Sequence, residues 1–146
     1  MTSYEVRCTM AASPAQVWAR LTDARAIVDG GLGVLRLDGE IAPGATFTLW
    51  SSANPTRPFA LRVTEFDRPG RMVWEGGMPL GLFKGVRVFT LTPRGAQTEF
   101  HMREDYSGLL APLIVKSIPD LTPSFEQFAA GLRTLAERAA SQEIKA

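Results

Sequence analysis

Hydrophobic and polar residues alternate along most of this chain, and helical periodicity interrupts the alternation near both ends. Tyr4, Val6, Cys8 and Met10 alternate with Glu5, Arg7 and Thr9, which predicts a half-buried strand. Ser13-Pro14-Ala15-Gln16 then opens a helix. The serine is the N-cap, the proline takes the first helical position, and the glutamine three residues on completes a capping box. This helix carries Val17, Trp18 and Leu21. A second short helix is expected over 24–28, stopped by Asp29-Gly30-Gly31.

From there the period is two. Strands are expected over 34–38 and 46–51, joined through a Pro43-Gly44 turn, with a further turn at Asn54-Pro55. A strand over 59–66 places Leu61 and Val63 in phase. After Arg68-Pro69-Gly70, a short strand over 71–75 points Met72 and Trp74 inward. Segments 83–92 and 97–107 form a hairpin about Pro93-Arg94-Gly95. That register sets Phe89 opposite or near Phe100, and Arg87 near Met102 and diagonal to Glu104, within reach of long side chains.

The last part of the chain changes character. Pro112, Pro119 and Pro123 break up an apolar segment. Leu121, Phe125, Phe128, Leu132, Leu135 and Ala139 then recur at four- and three-residue steps, which is one face of a helix. About twenty residues make roughly 30 Å of helix, similar to the longest strands at about 3.3 Å per residue. One helix can therefore run the full length of the sheet. Neither a repeat nor a linker divides the chain, so a single domain is expected over residues 1–146.

Two charges do not fit a closed core. Phe100, Met102, Glu104 and Tyr106 share one strand face, and Phe89 and Leu91 share a face with Arg87. A charge among core residues is costly unless it is paired or hydrated. The economical explanation is a face that lines a cavity.

Composition narrows the choice of function. The net charge is +1 and 45% of residues are hydrophobic, ordinary for a globule and without the basic runs of a nucleic-acid footprint. A single cysteine, Cys8, excludes an intramolecular disulfide and a multi-cysteine zinc site. The N-terminus lacks a signal-peptide pattern and no apolar run is long enough to span a bilayer, so the expected location is the cytoplasm. No metal and no cofactor is expected.

Four motifs carry a family resemblance: Ser13-Pro-Ala-Gln-Val-Trp18, Phe83-Lys-Gly-Val-Arg-Val-Phe89, Glu104-Asp-Tyr-Ser-Gly108 and the final helix around 125–137. With the order strand, two short helices, six strands and long helix, nearly the whole chain resembles the START-related, or SRPBCC, helix-grip superfamily. Within it the chain looks most like the polyketide cyclase/dehydratase-like and lipid-transport-like group. The resemblance implies an α+β fold in which a curved seven-stranded antiparallel sheet wraps around the C-terminal helix, with a ligand cavity between them.

The expected polar anchor of that cavity is Arg87 with Glu104, orienting a ligand carbonyl, hydroxyl or carboxylate. In a catalytic variant Glu104 is the general acid or base. The structural alternative is an ion pair that closes one end of the barrel, or a bulge that turns one of the two outward. The apolar wall is expected from Phe47, Leu49, Leu61, Val63, Met72 and Trp74, from Phe89, Phe100 and Met102, and from Phe125, Phe128 and Leu132. Each of these alone has core as its ordinary role, contributing roughly 1.5–3 kcal/mol when fully buried. His101, the only histidine, falls in the outward phase, so a Ser–His–Asp arrangement has no base. Cys8 is expected to be a buried, inert thiol.

Residues 76–82 and 109–118 are unusually apolar for loops. They suit a lid, a homodimer contact, a docking patch for a ligand donor, or loops folded over the barrel ends. Three functions follow: a binding protein for a small hydrophobic or aromatic molecule, a cyclase or dehydratase using Glu104 and Arg87 on a carbonyl substrate, and a protein-interaction module acting through the apolar loops.

Overall fold

The computed structural model describes residues 2–145. Strand β1 (Thr2–Met10) leads into helices α1 (Pro14–Leu21) and α2 (Ala24–Asp29). Strands β2 (Val34–Asp38), β3 (Thr46–Ser51), β4 (Asn54–Asp67), β5 (Arg71–Met78), β6 (Phe83–Arg94) and β7 (Gln97–Ser107) follow, then helices α3 (Ala111–Ser117) and α4 (Thr122–Lys145). The seven strands form one antiparallel sheet in the order β1-β7-β6-β5-β4-β3-β2. This is the expected α+β helix-grip architecture. Register shifts at Val34/Arg36, Leu49/Ser51 and Val63/Glu65 mark bulges that add to its curl.

The local signals explain the elements. Ser13 Oγ accepts from the Gln16 backbone N–H at 3.2 Å, and Gln16 Oε1 accepts from the Ser13 N–H at 2.8 Å, so the capping box is closed. β1 alternates half-buried and exposed along its length. α4 buries Phe125, Phe128, Leu132, Ala136 and Ala140 against the sheet and α1. The core also takes Val17, Trp18 and Leu21 from α1, and Trp18 meets Phe66 edge to face at 5.0 Å.

Four expectations need correction. The hairpin turn lies at Gly95-Ala96, not at Pro93-Arg94-Gly95, so Pro93 pairs with Thr98 and Arg94 with Gln97. Pro93 is tolerated because β5 has ended at the level of Thr90, and a two-residue hairpin leaves the second pair from the turn without ladder bonds. The register moves by two residues: Phe89 faces Met102, Leu91 faces Phe100, and Arg87 stands directly opposite Glu104.

Residues 76–78 continue β5 and are not loop. Gly77 lies at φ +140°, and a Cβ there would meet the Phe83 carbonyl oxygen at 2.3 Å, so glycine permits a close strand approach. The β3–β4 connection is a turn at Ser52-Ala53, two residues before the expected Asn54-Pro55. Segment 109–118, read as loop, contains α3, with Pro112 in its first turn where no amide donor is needed.

Between β5 and β6, Leu80 and Gly81 both adopt positive φ (61° and 70°), and the Leu82 N–H reaches the Pro79 carbonyl at 3.3 Å. Leu80 is the only non-glycine residue at positive φ among the described residues. That conformation costs a leucine about 1–2 kcal/mol.

Candidate functional site

A cavity of about 250 Å³ lies between the sheet and the first turns of α4. Its wall includes exposed residues of β4 (Arg57, Pro58, Phe59), of β5 (Gly77, Met78) and Pro119 after α3, so it opens on that side. The opposite end is closed by the packed core around α1.

Arg87 and Glu104 face into this space from paired positions on β6 and β7. Arg87 Nη2 donates to Glu104 Oε2 at 2.8 Å, and the Tyr106 hydroxyl donates to the same oxygen at 2.9 Å. The Arg87 guanidinium also sits 4.8 Å from the centre of the Phe125 ring, a cation–π contact that fixes its plane. The side chains of Arg87 and Glu104 retain 20% and 11% exposure. Glu104 Oε1 accepts no hydrogen bond among the described residues and is not among the sealed unpartnered atoms. Its lone pairs and the remaining Arg87 N–H groups are therefore open to a guest.

The cluster is neutral as a whole, with one guanidinium, one carboxylate and one phenol. Burial, reinforced by the Glu104 charge, pushes the Tyr106 phenol well above its ordinary value. Tyr106 consequently stays a protonated donor. The Phe83 ring stacks on Tyr106 at 5.7 Å, and Tyr4 meets the edge of Tyr106 at 6.2 Å. Gly85, the β6 partner of Tyr106, makes the room: a Cβ there would lie 3.3 Å from the Tyr106 ring and 3.5 Å from Glu104 Oε1.

Of the residues expected on the wall, Leu49, Leu61, Trp74 and Met102 of the sheet and Phe125 and Phe128 of α4 line the cavity beside Arg87 and Glu104. Phe47, Val63, Met72, Phe89, Phe100 and Leu132 do not. They are buried in the close-packed core behind or beyond it. The reason is position along the element. Strand phase reports which face a residue is on, and the five strand residues share the inner face but pack against one another and the helices, while Leu132 lies two turns beyond Phe125 along α4. Trp74 illustrates the border: it touches the cavity, meets Phe47 and Phe89 edge to face at 5.0 and 4.6 Å, and its Nε1–H is buried without a partner among the described residues.

Tyr106, Phe83, Gly85 and the α3 residue Ile114 were not among the expected site residues. For Tyr106 a signal existed, since it shares the phase of Glu104 two residues away. Ile114 had only the coarse signal that 109–118 suits a lid, because α3 read as loop.

His101 lies on the outer face, 3.3 Å from Glu5. Cys8 stands outside the cavity, in a shallow groove with Val6 and Arg133, and burial raises its thiol pKa. Among the described residues no group of three His, Cys, Asp or Glu side chains could hold a metal ion, and no helix is long and apolar enough to cross a membrane.

Residues 1–140 match the family model described as polyketide cyclase / dehydrase and lipid transport. Among solved structures, the Zhui aromatase/cyclase from Streptomyces sp. R1128 is 14% identical, with 95% of each chain covered and a TM-score of 0.75. Protein MLL2253 from Mesorhizobium loti is 18% identical, covering 94% of this chain and 98% of that one, with a TM-score of 0.72. Truncated norcoclaurine synthase from Thalictrum flavum is 14% identical over 92% of both chains, with a TM-score of 0.71. At these identities the likeness is one of fold. Among curated proteins, none matches.

Proposed function

The chain belongs to the polyketide cyclase / dehydrase and lipid transport family, whose members bind hydrophobic molecules in a cavity, and from that premise we propose that it holds a small, largely apolar molecule of one or two rings with a neutral polar head. The observation that carries this reading is the Arg87–Glu104–Tyr106 cluster set in an otherwise apolar wall.

Size argues for a small guest. A cavity of about 150 Å³ accommodates one benzene, and this one is about 250 Å³. Charge argues for a neutral head. Glu104 already balances Arg87, so a further full charge would go uncompensated. A hydroxyl or carbonyl suits the free Arg87 N–H donors, and a hydroxyl can in addition donate to Glu104 Oε1. The test is a thermal-shift and calorimetric panel of phenols, naphthols and ring ketones. Ring compounds with a hydroxyl or carbonyl should raise Tm, their unsubstituted hydrocarbons less so, and Arg87→Ala should remove the difference. A panel that never raises Tm would contradict the reading.

A second reading is enzymatic, and the unpartnered Oε1 of Glu104 favours it. That oxygen can take a proton from the carbon beside a bound carbonyl while Arg87 holds the resulting enolate oxygen. The likeness in fold to an aromatase/cyclase and to norcoclaurine synthase supports considering it. Deuterium exchange into a bound ketone, lost in Glu104→Gln with binding retained, is the expected result. Unchanged exchange in that variant would remove Glu104 from any such step.

A further inference from the structure

We propose that the rim of the cavity opening is a peripheral docking surface for a membrane bearing anionic lipids, with Leu80, Leu109 and Leu113 as its penetrating side chains.

Six large apolar side chains are exposed among the described residues; Phe59 and Met78 line the cavity, and Leu80, Leu109 and Leu113 lie on the β5–β6 connection and the start of α3, which hydrogen-bond to each other beside it. Leu80, Leu109 and Leu113 are 92%, 81% and 70% exposed. They form one rigid unit. The Leu109 N–H donates to the Gly81 carbonyl at 3.1 Å and the Leu110 N–H to the Leu82 carbonyl at 2.8 Å, while the Leu113 N–H returns to Leu110 at 3.1 Å. Side chains on the inner side of the same segments, Phe83 and Ile114, line the cavity.

Leu80 is disfavoured twice at its own position. It is almost fully in water, and it occupies a left-handed backbone conformation that asparagine or glycine would accept with little cost. Folding gains nothing from a leucine there, and an observed backbone outlier of this kind points to a role outside folding.

Charge identifies the occupant. Segments 52–60, 76–82 and 107–121, which frame the opening, contain two cations, Arg57 and Lys116, against a single acid, Asp120. Neither cation has an ion-pair partner among the described residues. Lys84 nearby pairs with Glu75 at 2.6 Å, and Asp120, just beyond α3, accepts the Thr122 N–H. Leucine tips flanked by unpaired cations suit an anionic lipid surface. A protein partner is the weaker fit, because interface hot spots favour Trp, Tyr and Arg and under-represent Leu. The proposal is independent of what fills the cavity.

The test is flotation of the intact protein with vesicles of phosphatidylcholine alone and of equal parts phosphatidylcholine and phosphatidylglycerol. The protein should float with the anionic vesicles, about fivefold less for each of Arg57 and Lys116 changed to Gln, and less as salt rises. Leu80→Asn should reduce flotation about tenfold while Tm holds or rises, and the L80N/L109S/L113S variant should not float. A fall in Tm for Leu80→Asn would show that the leucine serves folding and would overturn the proposal. So would absence of flotation with the anionic vesicles, or a dimer of the parent protein that the triple variant dissociates.

Discussion

Where α1 packs on α4, Val17, Leu21, Leu132 and Ala136 have no exposed surface. Two turns earlier on the same helix, Phe125 and Phe128 face a space that also receives a guanidinium, a carboxylate and a phenol. One helix thus serves two different surroundings. Its second half completes a close-packed core, where each large side chain contributes a few kcal/mol. Its first turns leave the sheet uncovered, and α3 comes only part of the way across. The comparison teaches that the packed end carries enough burial for the fold to leave the other end unfilled.

Substitutions separate the two ends. The largest effect is expected from Leu132→Ala in the packed half, at about 3 kcal/mol of stability, with the Tm increment given by a saturating ligand unchanged. Scanning calorimetry with and without ligand checks both parts. Next comes Glu104→Ala, which strands Arg87 and the Tyr106 hydroxyl without their acceptor. Because these groups still reach the cavity, the cost is about 2 kcal/mol and not that of a sealed pair, while ligand affinity falls far more than for Leu132→Ala. Equal losses of affinity in the two variants would erase the distinction between the ends.

Gly85→Ala sharpens the same contrast on a smaller scale. The added methyl presses on the Tyr106 ring at 3.3 Å, so urea denaturation should register about 1 kcal/mol or less while calorimetry shows several-fold weaker binding.

The smallest effect lies at the closed end, where Glu137 Oε2 accepts the Ala11 N–H at 2.8 Å and an Arg133 bond at 3.1 Å. The Ala11 N–H is the main reason the Glu137 carboxyl sits below its ordinary value. A depressed carboxylate stabilises the fold above its unfolded pKa of about 4.3 and loses that contribution as pH falls through the folded value. Glu137→Gln should therefore lower stability by about 0.5 kcal/mol at pH 7, and the gap to the parent protein should close below about pH 4. A gap that widens in acid would contradict the assignment.

The contrast between the two ends also shows what was legible in the sequence. Ser13-Pro14-Ala15-Gln16 stated its own helix, because a capping box is a local device. Alternation placed Arg87 and Glu104 on the inner face, because strand phase needs no tertiary information. Their direct pairing was missed by two residues, since Pro93 looks like a turn former and is tolerated at the end of β6 only where no neighbouring strand needs its N–H. Phase could not divide the inner face into wall and core either. Phe89 and Met102 stand opposite one another, yet only Met102 reaches the cavity, a matter of how far α4 and its neighbours extend. α3 was hidden because Pro112 breaks a helix interior but is welcome in a first turn.

The most direct measurement pairs stability with binding in the triple variant R87M/E104L/Y106F, which replaces the cavity-facing ion pair and the hydroxyl that donates to it with apolar side chains of similar size. If the pair exists to hold a ligand head, removing both charges should leave Tm equal or higher while the ligand-induced rise in Tm disappears. A triple variant that loses several degrees of Tm and still binds the same ring compounds would make the pair a structural clamp and contradict the account.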